Sequence, residues 1–172
     1  PQKLEGVLRE LSGSIAGNQT VISIAMGKST EFVEALLPEG TPVVRVMPNN
    51  PAMVGAAVSV LSFGRHAGEE ARDRARDIFS CLGDVYELDE KLQDEAMAVS
   101  GCGPAYFYVL AEAMCDAGVG LGLDRNLALK LVTGTMIGAG MMLRESGQHP
   151  AKLKDMVTSP GGSTIAALEA LE

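Results

Sequence analysis

An α/β region followed by an all-α region is the fold the sequence predicts, and three observations carry that expectation. Short β-branched runs at residues 20–25, 43–47 and 58–63 alternate with segments of helical character. From Glu90 onward those runs give way to long segments of Ala, Gly, Leu and Met. Pro and Gly punctuate the boundaries, as in Pro38–Gly40 and Pro48–Pro51. The change of character places the expected domains at residues 1–89 and 90–172.

Residues 3–11 put Leu4, Val7, Leu8 and Leu11 on one helical face. Residues 20–25 (TVISIA) suit a buried parallel strand. Gly27, Lys28 and Ser29 turn the chain into a helix expected over 29–37, stopped by Pro38 and Gly40. Residues 43–47 and 58–63 read as further strands, 69–81 as a charged helix and 84–88 as a short strand. Strands and helices alternating at this spacing predict a parallel sheet. A dinucleotide fold normally opens on a strand and a Gly-x-Gly-x-x-Gly phosphate turn, and no glycines here have that spacing between a strand and a helix. Residues 1–89 are therefore expected to be the second half of a Rossmann domain, with the first half absent.

In the second region Pro104 starts a helix over about 105–119 that is apolar on nearly every side. Asp124 caps a second, reaching Glu145, with Gly147 at its C-cap. A helix apolar all round needs cover on all sides. The expectation is a helical dimerisation domain, a second copy supplying the cover and Gly134, Gly138 and Gly140 permitting close approach; flexible packing is the alternative reading of those glycines.

Composition limits the function classes. With 172 residues and 47% apolar content the chain can bury a core. A net charge of −8 leaves no broad basic surface, so nucleic acid is not expected as a partner. Three cysteines, Cys81, Cys102 and Cys115, form no CxxC pair, which predicts a reduced, cytoplasmic protein without a metal. No signal-peptide pattern opens the sequence, and the uncharged run at 131–143 falls short of the ~20 residues of a membrane span.

The stretch around which the chain is organised lies at 153–168. Ser159 suits an N-cap and Pro160 the first helical position. Gly161 and Gly162 leave amides uncovered near the positive end of a helix dipole, and Ser163 and Thr164 add two hydroxyls. This is a pocket for a carboxylate with a hydroxyl beside it, or else an ordinary Gly-rich connection between helices.

The run KDMVTSPGGSTI at 154–165 closely resembles the signature of the pyrroline-5-carboxylate reductase family. Two further segments resemble it in the same order, VRVMPNNPA at 44–52 and VSGCGPAY at 99–106. The resemblance implies NADPH- or NADH-dependent reduction of a small-molecule imine, 1-pyrroline-5-carboxylate, to L-proline, by a homo-oligomer built from dimers. It implies substrate contacts at Glu90, Val157, Ser159, Gly161, Gly162, Ser163 and Thr164, with Thr164 catalytic. It implies cofactor contacts at Pro1, Ile24, Ala25, Met26 and Met156. Against the family the sequence is expected to be truncated at both ends, and inactive alone.

Some residues read differently without the family. Glu90 equally suits a solvated position or a helix cap, and residues 20–26 a plain core strand. Arg45, a cation in a buried-strand pattern, should find a carboxylate or carbonyls and is read as structural. Cys102 stands where relatives have serine and has no base paired to it, so it is not expected to be a nucleophile. Met97 and Asn50 stand where the family has threonine. His149 before Pro150 reads as a turn residue. Two other readings remain: a β-hydroxyacid-dehydrogenase-like reductase, for which Lys130 and Lys152 would be candidate lysines, and a non-catalytic oligomerisation fragment.

Overall fold

The computed structural model describes all residues, Pro1–Glu172. By internal contact the chain forms two compact units, Pro1–Tyr108 and Val109–Glu172, dividing later than the compositional change at Glu90.

The first unit opens with α1 (Leu4–Ser12), β1 (Val21–Ser23) and α2 (Thr30–Glu34). β2 (Val43–Pro48) follows, then a 3-10 turn (Asn50–Val54), β3 (Ala57–Phe63), α3 (Glu69–Ser80) and β4 (Gly83–Glu87). A 3-10 turn (Glu90–Leu92), α4 (Gln93–Ala96) and a π-helical turn (Met97–Gly101) lead to α5 (Gly103–Gly120). The strands lie in chain order, β1-β2-β3-β4.

The sheet is mixed, and this corrects the expectation of a wholly parallel one. β1 runs parallel to β2 and β3 to β4, but β2 and β3 are antiparallel, with Arg45 opposite Ser62. The reason is the length of the link. α2 and α3 provide the crossovers for the parallel pairs, whereas only the 3-10 turn and a few flanking residues join Pro48 to Ala57. A parallel return needs a dozen or more residues.

Both faces of the sheet are covered. Val44, Val46 and Leu61 pack against Ala71, Ala75 and Phe79 of α3, and Val43 packs on the other face against Leu8, Val33 and Leu37. Removing such a side chain from water contributes about 1.5–3 kcal/mol each. β2 is therefore buried almost throughout, which accounts for its continuous apolar pattern.

β1 is shorter than the β-branched run suggested. Ile24, Ala25 and Met26 leave the sheet as an exposed turn, because β1 is an edge strand paired with β2 alone. α2 is also shorter than expected: after Glu34 the backbone tightens into Val33–Leu36 and Glu34–Leu37 turns ahead of Pro38.

The second unit contains the end of α5, then α6 (Arg125–Ser146), α7 (Pro150–Met156) and α8 (Ser163–Leu171). Asp124 caps α6 as expected, its carboxylate accepting from the amides of Asn126 and Leu127, and Gly147 ends it. Ala128 and Val132 are buried, but Leu129, Leu131, Ile137 and Met141 stand half or more exposed on the single chain. The uncharged run extends into a helix of 22 residues, so that by length and composition α6 could cross a membrane.

The helix after the glycines departs from the sequence reading. α8 begins at Ser163 with Gly162 as its cap, so Ser159 is not the N-cap and Pro160 is not the first helical residue. Gly161 has φ +68° and the Gly162 amide donates to the Ser159 carbonyl at 3.0 Å. Pro then left-handed Gly is the pattern of a type II turn, and a left-handed residue cannot continue a right-handed helix.

Candidate active site

The segment at 157–164, where a carboxylate site is expected, lies in the second unit and comprises the end of α7, the turn and the start of α8. The Thr158 hydroxyl donates to the Lys154 carbonyl at 2.7 Å, closing the last turn of α7. Lys154 also pairs with Glu172, which raises the lysine above its ordinary pKa, chiefly through the hydrogen bond Glu172 accepts, and ties α7 to the end of α8. Gly162 caps α8 without a side chain. The amides of the first helical turn, which a serine or aspartate cap would cover, therefore face outward with the positive end of the dipole.

The Ser159 hydroxyl lies so close to Gly162 that a β-carbon there would sit 2.4 Å from Oγ. Ser159, Gly161 and Ser163 are exposed, while Gly162 and Thr164 are half-buried. Ser159, Gly161, Gly162, Ser163 and Thr164 thus lie on one turn that carries hydroxyls beside the uncovered amides of a helix start, a combination of the kind that receives small anions. Val157 and Met156 are exposed beside it, and with Met142, Leu143, Pro150 and Leu153 they line an apolar cleft of about 350 Å³.

The other expected residues belong to the first unit. Pro1 shares an apolar groove with Leu4, Val21, Ile24, Ala25 and Met26. Ile24 is 62% and Met26 52% exposed. Ser23 Oγ accepts from the Ala25 amide at 3.3 Å and so shapes the turn. This turn projects from the C-terminal end of a strand that runs parallel to its neighbour, where α/β sheets hold their ligands. Exposed apolar side chains beside open backbone fit the flat ring of a nicotinamide, so the residues present suit that end of a dinucleotide.

Glu90 is placed differently from the rest. Its Oε1 accepts from the Thr30 amide at 2.8 Å and its Oε2 from the Thr30 hydroxyl at 2.6 Å. Arg45, 5% exposed, reaches Glu90 at 3.4 Å and Asp94 at 2.9 Å. The buried cation thus finds carboxylates, as its position demanded.

Sequence reasoning places Asn49 in the turn that ends β2 but does not reach its contacts. Its Nδ2 donates to the Ser100 carbonyl at 3.0 Å and its Oδ1 accepts from the Val58 amide at 2.9 Å. It ties the β2–β3 link to the π-helical turn carrying Met97. The only signal for it in the sequence was an asparagine between two prolines' reach, which reads as a turn residue. Cys102 is exposed after that turn, and no group of His, Cys, Asp and Glu is arranged to hold a metal. His149 caps α7, its Nδ1 accepting from the Ala151 amide at 3.2 Å, as a turn residue would. Lys130 and Lys152 are both exposed.

A strand-end rim on a Rossmann-like sheet, followed by a helical unit bearing an anion-receptive turn, defines a two-part class of protein. The family model described as pyrroline-5-carboxylate reductase dimerisation matches residues 90–172. The crystal structure of the Plasmodium falciparum pyrroline carboxylate reductase with NADP bound is 35% identical, superposes with a TM-score of 0.92, and is matched over 99% of this chain and 68% of its own. The chain belongs to the pyrroline-5-carboxylate reductase family. Among curated relatives, the pyrroline-5-carboxylate reductase of Methanosarcina acetivorans is 45% identical and pyrroline-5-carboxylate reductase 1 of Bacillus subtilis 38% identical, both over the whole of this chain. The chain spans 64% and 58% of their respective lengths.

Proposed function

We propose that the protein containing this chain reduces the cyclic imine of 1-pyrroline-5-carboxylate to L-proline, with NADPH or NADH as the hydride donor. The observation that carries the reading is the 159–164 turn, where free amides, a left-handed glycine and unpartnered hydroxyls lie within the motif that marks the family.

The substrate presents a carboxylate and a ring nitrogen two bonds apart. In this reading the amides following Gly162, with Ser159 and Ser163, grip the carboxylate, while Val157 and Gly161 shape the walls. The Thr164 hydroxyl oxygen accepts from the protonated ring nitrogen. When bound, the cofactor would supply a hydride to the imine carbon, and the nitrogen, already protonated, would take the C=N electron pair to give a secondary amine. A protonated imine is already electrophilic, so orientation supplies most of the rate. That agrees with a site of hydroxyls and amides without a paired acid and base. Pro1, Ile24, Ala25 and Met26 are the proposed cofactor contacts in the first unit, and Met156 is the one proposed in the second.

The exposed apolar surface of α6 is proposed to be covered by a second copy, giving a soluble, cytoplasmic homodimer or a multiple of dimers. The free state of all three cysteines supports a reducing compartment.

The test is consumption of NADPH, followed at its absorbance, on adding 1-pyrroline-5-carboxylate, with L-proline identified as product. Absence of proline while the protein is folded would refute the assignment.

A further inference from the structure

The contacts of Glu90 point to a role that the expected substrate contact does not describe. We infer that Glu90 is a positioning residue: with Arg45 it closes the base of the turn at residues 24–29 and so fixes the proposed cofactor border. The inference rests on the proposed function for what that turn binds, but not for the clamp itself.

The turn leaves the sheet at Ser23 and enters α2 at Thr30. Ser23 is the β1 residue in register with Arg45 of β2. Thr30 gives both its amide and its hydroxyl to the Glu90 carboxylate, at 2.8 and 2.6 Å. Arg45 in turn donates to Glu90 at 3.4 Å. Ser23, Arg45, Glu90 and Thr30 therefore form a closed circuit under the turn. Two of its links join residues 60 and 45 positions apart in the chain, so it exists only in the folded unit. Arg45 and Thr30 are nearly inaccessible, at 5% and 6% exposure, so the Glu90 carboxylate, whose side chain is 24% exposed, meets its donors on the sheltered side.

The start of α2 is thereby capped twice. Ser29 Oγ accepts from the Phe32 amide at 3.1 Å, the ordinary N-cap bond, and Glu90 takes the Thr30 amide that Ser29 leaves open. For a helix of five residues the second cap comes from a distant element rather than from its own first turn. Each oxygen of Glu90 already meets a donor within the chain. Its geometry, not its capacity to release a proton, is what the contacts use.

A carboxamide tests this. In Glu90→Gln the amide oxygen still accepts from the Thr30 amide and Arg45, while the new N–H₂ donates to the Thr30 hydroxyl, which accepts equally well. A positioning role therefore survives Glu90→Gln and is lost in Glu90→Ala. A substrate or proton-donor role is lost in both.

Hydrogen–deuterium exchange on the ligand-free protein reads the clamp directly. Glu90→Ala should speed exchange at residues 24–34 roughly tenfold, the equivalent of one charge-assisted hydrogen bond, with α3 unaffected. Glu90→Gln should restore parental protection. Thr30→Val, which deletes one donor only, should give an intermediate effect and guards against a Glu90→Ala protein that misfolds. In turnover, Glu90→Ala should raise the KM for NADPH more than that for 1-pyrroline-5-carboxylate. Unchanged exchange in Glu90→Ala, equal exchange in the Gln and Ala variants, or a rise confined to the KM of the imine would each overturn the inference. If the parent protein makes no proline, the proposed function fails while the exchange pattern still decides the clamp.

Discussion

The hydroxyl of Ser159 rests against Gly162, where a β-carbon would come within 2.4 Å of Oγ and 3.2 Å of the Ser159 carbonyl oxygen. The serine and the glycine shape the turn jointly, since a side chain at position 162 fits only if the Ser159 hydroxyl moves aside. Gly162→Ala should raise the KM for 1-pyrroline-5-carboxylate and leave the melting temperature nearly unchanged, because the atom it meets is the hydroxyl of the exposed Ser159, which can rotate aside. Gly161→Ala meets a different obstacle, a φ of +68°, which costs an L-residue roughly 1–2 kcal/mol. Kinetics and thermal melts on the two variants separate crowding from backbone strain.

Thr164→Ala removes the hydroxyl proposed to meet the ring nitrogen. The loss of one hydrogen bond predicts a fall in kcat/KM worth about 0.5–1.5 kcal/mol, and more if the nitrogen is charged. Ser159→Ala should act mainly on KM. Parental steady-state kinetics in both variants would remove this turn from the site.

Arg45 and Asp94 form a pair with unequal surroundings, since the arginine side chain is 6% and the aspartate 70% exposed. Asp94→Asn should therefore cost less than about 1 kcal/mol, as for other exposed partners. Arg45→Met leaves Glu90 without its cation and should cost more, about 1–3 kcal/mol, in urea unfolding. The reverse order would mean that the pair does not carry the link between β2 and α4.

Around Gly138 nothing within the chain lies within 4 Å of where a β-carbon would be. A glutamate is therefore accommodated by one copy, and Gly138→Glu should keep its circular dichroism. If a second copy covers α6, the same substitution leaves a charge buried without a partner and splits the dimer. Sedimentation velocity of parent and variant at micromolar concentration decides this, and a monomeric parent would contradict the proposed assembly.

Cys102 lies exposed after the π-helical turn, with neither histidine bonded to it. Cys102→Ser should keep most of the parental activity in the proline assay. A folded but inactive variant would reassign the thiol to the site.

Residue pattern alone determined what depends on short range. The two-part fold, the approximate positions of α1, α3, α5 and α6, the Asp124 cap and the Gly147 end of α6 followed from periodicity and from residues a few places apart. The requirement that Arg45 find a carboxylate was legible too, because burial makes an unpaired charge costly wherever it occurs. Which carboxylate answered it was not legible. Glu90 and Asp94 reach Arg45 only because the segment from Glu90 through α4 packs back against the sheet at β3, a matter of packing between distant elements. The direction of β3 was misread because β-branched character marks a strand without marking its sense, and the short link after Pro48 decided that. The start of α8 was misread for a related reason: Ser-Pro suits a helix start and a type II turn equally, and the left-handed conformation of Gly161 selected the turn.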